Sequence, residues 1–345
     1  MSEIKQIFFY FLRQGLWGNR EKYKYALPAR EEWKLLFTIA HSQAVTGIFI
    51  DGVACTSMRP DRDLWEQWVG HLLHIEQMNA AITRCGNQWL ARLQEAGISA
   101  SLFKGTSVAT WYPCPQHRSY GDIDLVVEKG WHQLEHYLQT YHIPYRNERG
   151  DIVLQEKHLS VEFHPKWEYL YNPLINNRLQ RMLQASTDIS HELYLTCLIL
   201  HLRRHFLTYG IGLKQVCDVA VMLHSCQLDH ARLAYILRQL HVEKFSRALF
   251  GFIASGIGHP TNYPLSPFTS GRTFALFQNI ILHDGYFLKI KQEKTATLSR
   301  FPIIRIARNF LFWTKRCFRL SSIMPGEAFF FLLHMTNQRI KALFR

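Results

Sequence analysis

The sequence predicts an α+β protein in which a small α/β core lies between two helical regions. Helical periodicity extends over long stretches at both ends, whereas short apolar runs with strand alternation fall between residues 98 and 164. Glycine and proline separate these segments. We therefore expect an N-terminal helical region (1–97), a core (98–170) and a C-terminal helical domain (171–345).

Two amphipathic helices are predicted in the N-terminal region. Residues 30–50 carry an apolar stripe at helical spacing, and Asp61–Ala96 repeats that pattern over a longer stretch. Gly97 stands where a glycine commonly ends a helix. The N-terminal region should therefore end at Gly97.

The core alternates between strands and one helix. Residues 98–103 and 121–127 are apolar runs of strand length, and Trp131–Tyr141 has helical periodicity. Three further short strand candidates lie within 143–163. This order predicts a β–α–β arrangement.

The C-terminal domain is predicted to be helical nearly throughout. Its helix candidates are 192–207, 213–224, 230–240 and 243–257. A proline-containing loop, 258–272, separates them from the last helices. With 345 residues, of which 48% are hydrophobic, the chain suits two modest domains, or one with extensions, and can bury a sizeable core.

Several features narrow the class of protein. The first residues lack a signal-peptide cleavage pattern, and no apolar run reaches the roughly 18 residues of a membrane span, so neither is expected. Seven cysteines without a C-x-x-C pair indicate reduced thiols. The sequence also lacks a P-loop, zinc-ligand spacing and a convincing Ser-His-Asp set. We expect a cytoplasmic protein, with the inner membrane surface as an alternative.

Positive charge concentrates near the end of the chain. The net charge is +13, and the segment 301–345 contains only one acid, Glu327. Its eight bases are Arg305, Arg308, Lys315, Arg316, Arg319, Arg339, Lys341 and Arg345. Aromatic residues are interleaved with them at roughly helical spacing, which is typical of a helix at an anionic membrane surface. The alternative is two helices that pack their apolar stripes on the core.

Two aspartates offer the clearest chemical signal. Asp122 and Asp124 flank one apolar residue at the start of a predicted strand, where residues two apart share a face. At such a short distance two carboxylates repel each other unless a cation offsets their negative charge, and Mg²⁺ prefers oxygen ligands of this kind. The alternative is an ordinary surface turn.

A glycine turn precedes these aspartates. It consists of Lys104, Gly105, Thr106 and Ser107 and follows a predicted strand. Glycine lets the backbone approach a ligand closely, and Thr106 or Ser107 can cap a following helix whose free N–H groups favour phosphate. The turn therefore indicates phosphate binding.

Glu162 supplies a third carboxylate. Residues 159–164 alternate, so Glu162 and His164 should share the face opposite Val161 and Phe163. If this strand pairs beside the one that holds Asp124, three carboxylates could hold two metal ions. A solvent-facing Glu on a hairpin is the alternative, and His164 could equally be a structural histidine.

These residues resemble the signature of the polymerase-β-type nucleotidyltransferase superfamily. More narrowly, they are similar to a bacterial group of uncharacterised nucleotidyltransferases. The resemblance is carried by Lys104-Gly105-Thr106-Ser107, Arg118, Gly121-Asp122-Ile123-Asp124, Glu162-Phe163-His164, His205 and Gly210–Gln215. Lys214 stands where the group usually has Arg; this keeps the charge but loses the bidentate fork.

The resemblance implies a metal-dependent transfer of a nucleoside monophosphate from an NTP to an acceptor hydroxyl, with release of pyrophosphate. It implies a polymerase-β-like core in which Asp122, Asp124 and Glu162 hold two Mg²⁺ ions, Mn²⁺ being an alternative. Residues 104–107 and Arg118 would bind the nucleotide, and His164, His205 and Lys214 would support the substrate. The acceptor stays open among small molecules, glycans and macromolecules, including nucleic acid. A catalytically silent nucleotide-binding or partner-binding module is the rival interpretation.

Overall fold

A computed structural model describes residues 3–18, 22–148, 150–185, 188–208, 210–284 and 302–343. The chain divides into two compact units, Met1–Trp167 and Glu168–Arg345. The first contains a five-stranded mixed sheet, and the described part of the second is helical. The protein therefore combines a small sheet with many helices. The finer division at residue 97 stays a prediction.

The first unit contains six α-helices, a 3-10 turn at Pro115–His117 and five strands within the described residues. They are α1 (Glu3–Trp17), α2 (Arg30–Ser42), α3 (Thr46–Ala54), α4 (Arg62–Glu95), β1 (Ser99–Phe103), α5 (Gly105–Ala109), β2 (Ile123–Lys129), α6 (Trp131–Thr140), β3 (Arg146–Glu148), β4 (Asp151–Glu156) and β5 (Leu159–His164).

The described helices of the second unit follow in chain order. They are α7 (Pro173–Gln184), α8 (His191–Leu207), α9 (Leu213–Ser225), α10 (His230–Gln239), α11 (Glu243–Phe252), α12 (Arg272–Asn279), α13 (Pro302–Leu320) and α14 (Pro325–Leu343). A π-helical turn, Ile253–Ile257, extends α11. The expected loop 258–272 has neither helix nor strand until α12 begins at Arg272.

Two glycines bring α1 and α3 into backbone contact. A Cβ added at Gly15 would overlap the carbonyl oxygen of Ile48, and one added at Gly52 would overlap that of Phe11. Only glycine therefore permits this helix spacing, and Phe11 and Phe49 fill the space around it.

The helix predicted for 30–50 is wrong in one respect, because two helices occupy that stretch. Ala44 has a positive φ of 54° and separates α2 from α3. Trp33, Leu36 and Ala40 form the buried stripe of α2, as their spacing predicted. Because no glycine or proline lies between residues 41 and 46, the sequence gives no signal for this break.

Helix α4 confirms the prediction of a long amphipathic helix. The side chain of Asp61 accepts a hydrogen bond from the backbone N–H of Leu64 and so caps its first turn. Gly97, with a positive φ of 70°, follows its last turn as expected. Trp89 and Leu93, which are both fully buried, direct its apolar face onto the sheet.

The sheet has the order β1-β2-β5-β4-β3. β2 and β5 run parallel, and every other pairing is antiparallel. The parallel pair arises because α6 and the β3–β4 hairpin return the chain before β5, which agrees with the predicted β–α–β arrangement.

One face of the sheet packs on α4 and α6. The buried cluster there contains Leu125 of β2, Ile152 of β4 and Phe163 of β5, together with Trp89 and Leu134 from the helices. Strand alternation places the intervening residues on the opposite face. That opposite face carries Asp124, Glu162 and His164.

A buried ion network lies at the start of the second unit. The carboxylate of Glu168 is almost fully buried, and its Oε1 lies 2.9 Å from Nε of Arg204. Its Oε2 lies 3.1 Å from Nδ1 of His201. The guanidinium of Arg204 also lies over the ring of Tyr169, 4.8 Å from its centroid. These contacts tie the segment before α7 to α8.

The basic segment 301–345 forms α13 and α14 within the described residues. Trp313, Cys317 and Leu320 are buried, as expected for helices that pack an apolar stripe. Among the expected bases, the side chains of Arg305, Arg308, Arg339 and Lys341, and all of Arg345, lie outside what the structure describes. None of the described helices combines the length and apolar character needed to cross a membrane.

Candidate metal and nucleotide site

The turn between β1 and α5 has an uncommon backbone. Lys104 has φ 60° and ψ −144°, and Gly105 has φ +34°. A lysine in this region is strained, and such strain often occurs at functional sites. The expected capping by Thr106 or Ser107 is wrong, because Lys104 is the N-cap and makes no side-chain cap. The hydroxyl of Ser107 instead donates to the carbonyl oxygen of Lys104, at 2.7 Å.

Asp124 lies at the centre of the candidate site. Its register opposite Phe103 brings it beside Lys104, the next residue along the chain. Nζ of Lys104 lies 2.9 Å from Oδ1 of Asp124, and Nε2 of His164 lies 2.8 Å from the same oxygen. Only 5% of Asp124 is exposed. Burial would raise its pKa, but Lys104 and His164 outweigh burial and hold the pKa well below its ordinary value.

Glu162 lies directly beside Asp124. The two residues are register partners in the parallel β2–β5 pair, which confirms that these strands are neighbours. Val161 and Phe163 are fully buried on the opposite face, as the alternation predicted. Burial first, then the charges of Asp122 and Asp124, raise the pKa of Glu162 to about 7. Negative charge therefore accumulates here without full compensation.

His164 connects three carboxylates. Its Nδ1 lies 3.2 Å from Oδ1 of Asp151, and its Nε2 lies 3.9 Å from Oε2 of Glu162 as well as contacting Asp124. Burial would lower the pKa of this imidazole, but the hydrogen bonds to Asp124 and Asp151 raise it to about 9. Asp151 was not expected from the sequence, although β4–β5 hairpin pairing would have placed it opposite His164.

The donor atoms of Asp124, Glu162 and His164 all lie within 4.8 Å of one another. Two carboxylate oxygens and an imidazole nitrogen are suitable ligands for a divalent metal ion. Asp122 lies in the bend before β2, outside the strand in which we expected it, and is exposed. Its charge still acts on Glu162. The acidic cluster could therefore bind a metal ion.

Arg118 is buried, with its guanidinium carbon 6.0 Å from the ring of Tyr112 and 5.8 Å from that of Tyr120. The amide of Asn79 donates to the carbonyl oxygen of Arg118 at 2.7 Å and accepts from the backbone N–H of Tyr120. Asn79 was not expected from the sequence, since its role depends on how α4 packs against this loop. Through these bonds α4 positions the loop that leads to Asp122.

His117 also holds this loop in place, through ion pairs with α3 and α4. Its Nδ1 lies 2.7 Å from Oδ1 of Asp51 in α3, and its Nε2 lies 2.8 Å from Oε1 of Glu76 in α4. Hydrogen bonding to Asp51 raises the pKa of His117, burial opposes this, and Glu76 adds to the rise. A Cβ at Gly47 would overlap the carbonyl oxygen of His117, so α3 touches the loop backbone directly.

The remaining expected residues, His205 and Lys214, lie in the second unit. His205 is in the last turn of α8, where its ring centroid lies 4.4 Å from that of His201. Lys214 is in the first turn of α9, beside Gln215, whose side chain accepts from the backbone N–H of Gly212. The structure thus brings together Lys104, Asp124, Glu162 and His164, all from the first unit.

Comparison with known families adds an independent finding. Residues 29–255 match the profile of a family described as uncharacterised nucleotidyltransferases. The chain belongs to this family. No curated protein and no solved structure matches it. The matched segment contains the glycine turn, Asp122, Asp124, Glu162, His205 and Lys214. Membership implies an NTP as substrate and supports a divalent metal at the acidic cluster.

Proposed function

We propose that this chain is a metal-dependent nucleotidyltransferase with a polymerase-β-type core, which transfers an NMP from an NTP to an acceptor hydroxyl. The observation that carries the proposal is the pairing of Asp124 with Glu162 across the parallel strands β2 and β5, which puts two carboxylates side by side. Family membership supports the reaction class.

The residues fit a divalent cation. The pKa of Glu162 rises to about 7 because burial and two neighbouring aspartates disfavour its charge, and a cation there would offset that charge. In the proposal Asp122, Asp124 and Glu162 hold two Mg²⁺ ions, with Mn²⁺ as an alternative. Such ions, when bound, supply charge stabilisation for the transferring phosphoryl group.

Each protein group has a role in the proposed reaction. The acceptor oxygen bonds to the α-phosphorus as the bond to the pyrophosphate oxygen breaks, and Glu162 accepts the hydroxyl proton. Residues 104–107 and Arg118 bind the phosphates, while His164 holds Asp124 in position. His205 and Lys214, which lie within the segment that the family profile matches, would support the substrate.

The test is a label-transfer assay with each α-labelled NTP, Mg²⁺ and pools of extract, RNA and small molecules. Asp122→Asn and Asp124→Asn should each abolish metal-dependent transfer. Glu148→Gln, which removes an exposed carboxylate from β3 of the same sheet, should leave it unchanged. Circular dichroism would verify that each variant is folded. Transfer at the wild-type level in both aspartate variants would refute the proposal.

One observation favours the rival function, a catalytically silent nucleotide-binding or partner-binding module. Lys104 and His164 both contact Oδ1 of Asp124, so its charge is offset within the protein. Calorimetry with Mg·ATP followed by a product assay separates the two. Binding without any labelled product, across all acceptor pools, would favour the silent module.

We further propose that α13 contacts an anionic membrane surface, which would put the protein in the cytoplasm at the inner face of the membrane. Phe318 is 84% exposed and Leu311 is 53% exposed. Lys315 and Arg319 are also exposed, and helical spacing aligns them with these two residues. An apolar face with adjacent cations suits the headgroup region of anionic lipid.

Liposome flotation tests this second proposal. The wild type should float with vesicles that contain phosphatidylglycerol and stay in solution with pure phosphatidylcholine. The double variant Leu311→Ser, Phe318→Ser should lose flotation. Tyr235→Ser, which changes an exposed aromatic residue on α10, should float normally. Equal flotation of the wild type and the double variant would refute contact through α13, and a wild type that does not float would refute membrane contact altogether.

A further inference from the structure

The second unit contains a pocket of about 570 Å³ that the proposed transfer chemistry does not use. Such a volume suits a small-molecule ligand. Its walls come from the start of α7, from α8, from the α10–α11 corner, from the loop before α12 and from the turn between α13 and α14. We call the part lined by Arg203 and Glu327 the inner wall, and the part lined by Arg238, Glu243, Lys244 and Arg247 the outer wall.

The inner wall is electrostatically satisfied. Nη2 of Arg203 lies 3.3 Å from Oε2 of Glu327, and both side chains are buried. The other carboxylate oxygen of Glu327 accepts the backbone N–H of Tyr171, at 2.6 Å. The negative charge of Glu327 is thus matched within the protein, and this wall contributes no net charge.

The outer wall carries excess positive charge. Arg238 and Arg247 share one carboxylate, that of Glu243, at the long N–O distances of 4.0 and 3.9 Å. Lys244 is exposed and adds a third cation. Three basic side chains therefore line this wall with one carboxylate, and that carboxylate is too distant to satisfy both guanidinium groups.

Arg247 is fixed in orientation. Its Nε donates to the carbonyl oxygen of Ser266 at 2.9 Å, and its guanidinium lies over the ring of Phe268, 4.4 Å from the centroid. A guanidinium held at one nitrogen and stacked on a ring is preorganised for an anion. Phe268, Ile323 and Met324 give the pocket an apolar lining next to this cation.

We propose that this pocket binds a small organic anion, a phosphate monoester or carboxylate that carries an apolar group. Arg238, Lys244 and Arg247 face the anionic end, and Phe268 with Met324 contacts the apolar end. The inference does not depend on the transfer reaction.

The experiment is isothermal titration of the full chain, in EDTA, with phenyl phosphate and with benzoate. EDTA removes metal-mediated phosphate binding at the acidic cluster. Inorganic phosphate has no apolar group and therefore tests the contribution of the apolar lining. Benzyl alcohol has no charge and therefore tests the contribution of the cations. We expect at least one aromatic anion to bind, and the tighter one identifies the ligand class. Inorganic phosphate and benzyl alcohol should each bind at least about tenfold more weakly.

Two variants and one matched control locate the site. Lys244→Ala and Arg238→Gln should each weaken the aromatic anion about three- to tenfold, since each removes one cation from the outer wall. Arg232→Gln, which removes an exposed cation from the same helix as Arg238, should change nothing. Three results would overturn the proposal: no heat with either aromatic anion, equal binding of benzyl alcohol, or equal weakening in Arg232→Gln.

Discussion

Replacing Glu162 by Gln should stabilise the metal-free protein. The pKa of Glu162 rises from an ordinary 4.5 to about 7. One pKa unit corresponds to about 1.4 kcal/mol, so ionised Glu162 costs the fold up to roughly 3 kcal/mol. The side chain stays 30% exposed, and solvent screening should reduce this to about 1–2 kcal/mol. Function would then be maintained at the expense of stability.

The sign of this effect fixes its pH dependence. A carboxyl group whose pKa is higher in the folded state favours folding less as pH rises between the two pKa values. The penalty is therefore absent below pH 4.5 and complete somewhat above pH 7. Glu162→Gln should gain its full advantage at pH 8 and lose it at pH 4.5.

Urea unfolding of EDTA-treated protein at both pH values measures the difference. Glu148→Gln is the matched control and should show no such gain, because Glu148 lies exposed on β3. Adding Mg²⁺ should stabilise the wild type more than Glu162→Gln, since the variant lacks one ligand. The reasoning would be refuted if Glu162→Gln were less stable than the wild type at pH 8, or if the difference in unfolding free energy between them did not depend on pH.

Three further predictions can be checked by urea unfolding. Gly52→Ala should lower the free energy of unfolding by about 3 kcal/mol because its Cβ overlaps backbone, whereas Gly70→Ala, in open space on α4, should raise it by about 0.5–1 kcal/mol. Equal effects of the two changes would contradict the close α1–α3 contact. The pKa of His117 is raised, so its positive charge stabilises the fold at low pH. His117→Gln should therefore lower the free energy of unfolding by about 1–3 kcal/mol at pH 6, and by less as the pH rises through that raised pKa. A loss that does not change with pH would argue against a charged His117. Arg204→Met should cost about 3–5 kcal/mol because it leaves the buried Glu168 with less compensation, and the double variant with Glu168→Gln should recover part of that loss.

Local rules predicted the helix α4 closely. The apolar period over Asp61–Ala96 and Gly97 at its end predicted this stretch, and the helix spans Arg62–Glu95. Agreement between period and terminator leaves little for tertiary structure to override.

The break between α2 and α3 could not be predicted in the same way. Ala44 adopts its positive φ without a glycine or proline nearby. The reason lies in packing, since Gly47 and Gly52 bring α3 against the His117 loop and against α1. Contacts between segments distant in sequence decide the break, and a local pattern contains no information about them.

The candidate site likewise has a part that local sequence patterns predict and a part that depends on packing. Alternation predicted the face on which Glu162 lies, but its place beside Asp124 depended on how the strands pair, and the β2–β5 register supplies that pairing. The contacts of Asp151 with His164, and of Asn79 with the Arg118 loop, depend on hairpin register and helix packing. Asp151 and Asn79 could therefore be identified only from the three-dimensional structure.

The central claim is that Asp124 and Glu162 bind a divalent metal ion together with a nucleotide. Electron paramagnetic resonance of free Mn²⁺, titrated with protein and a non-hydrolysable NTP analogue, measures this directly. The wild type should remove Mn²⁺ from solution, Asp124→Asn should bind Mn²⁺ at least about tenfold more weakly, and Glu148→Gln should bind it as the wild type does. Equal Mn²⁺ binding by Asp124→Asn and wild type would contradict the central claim.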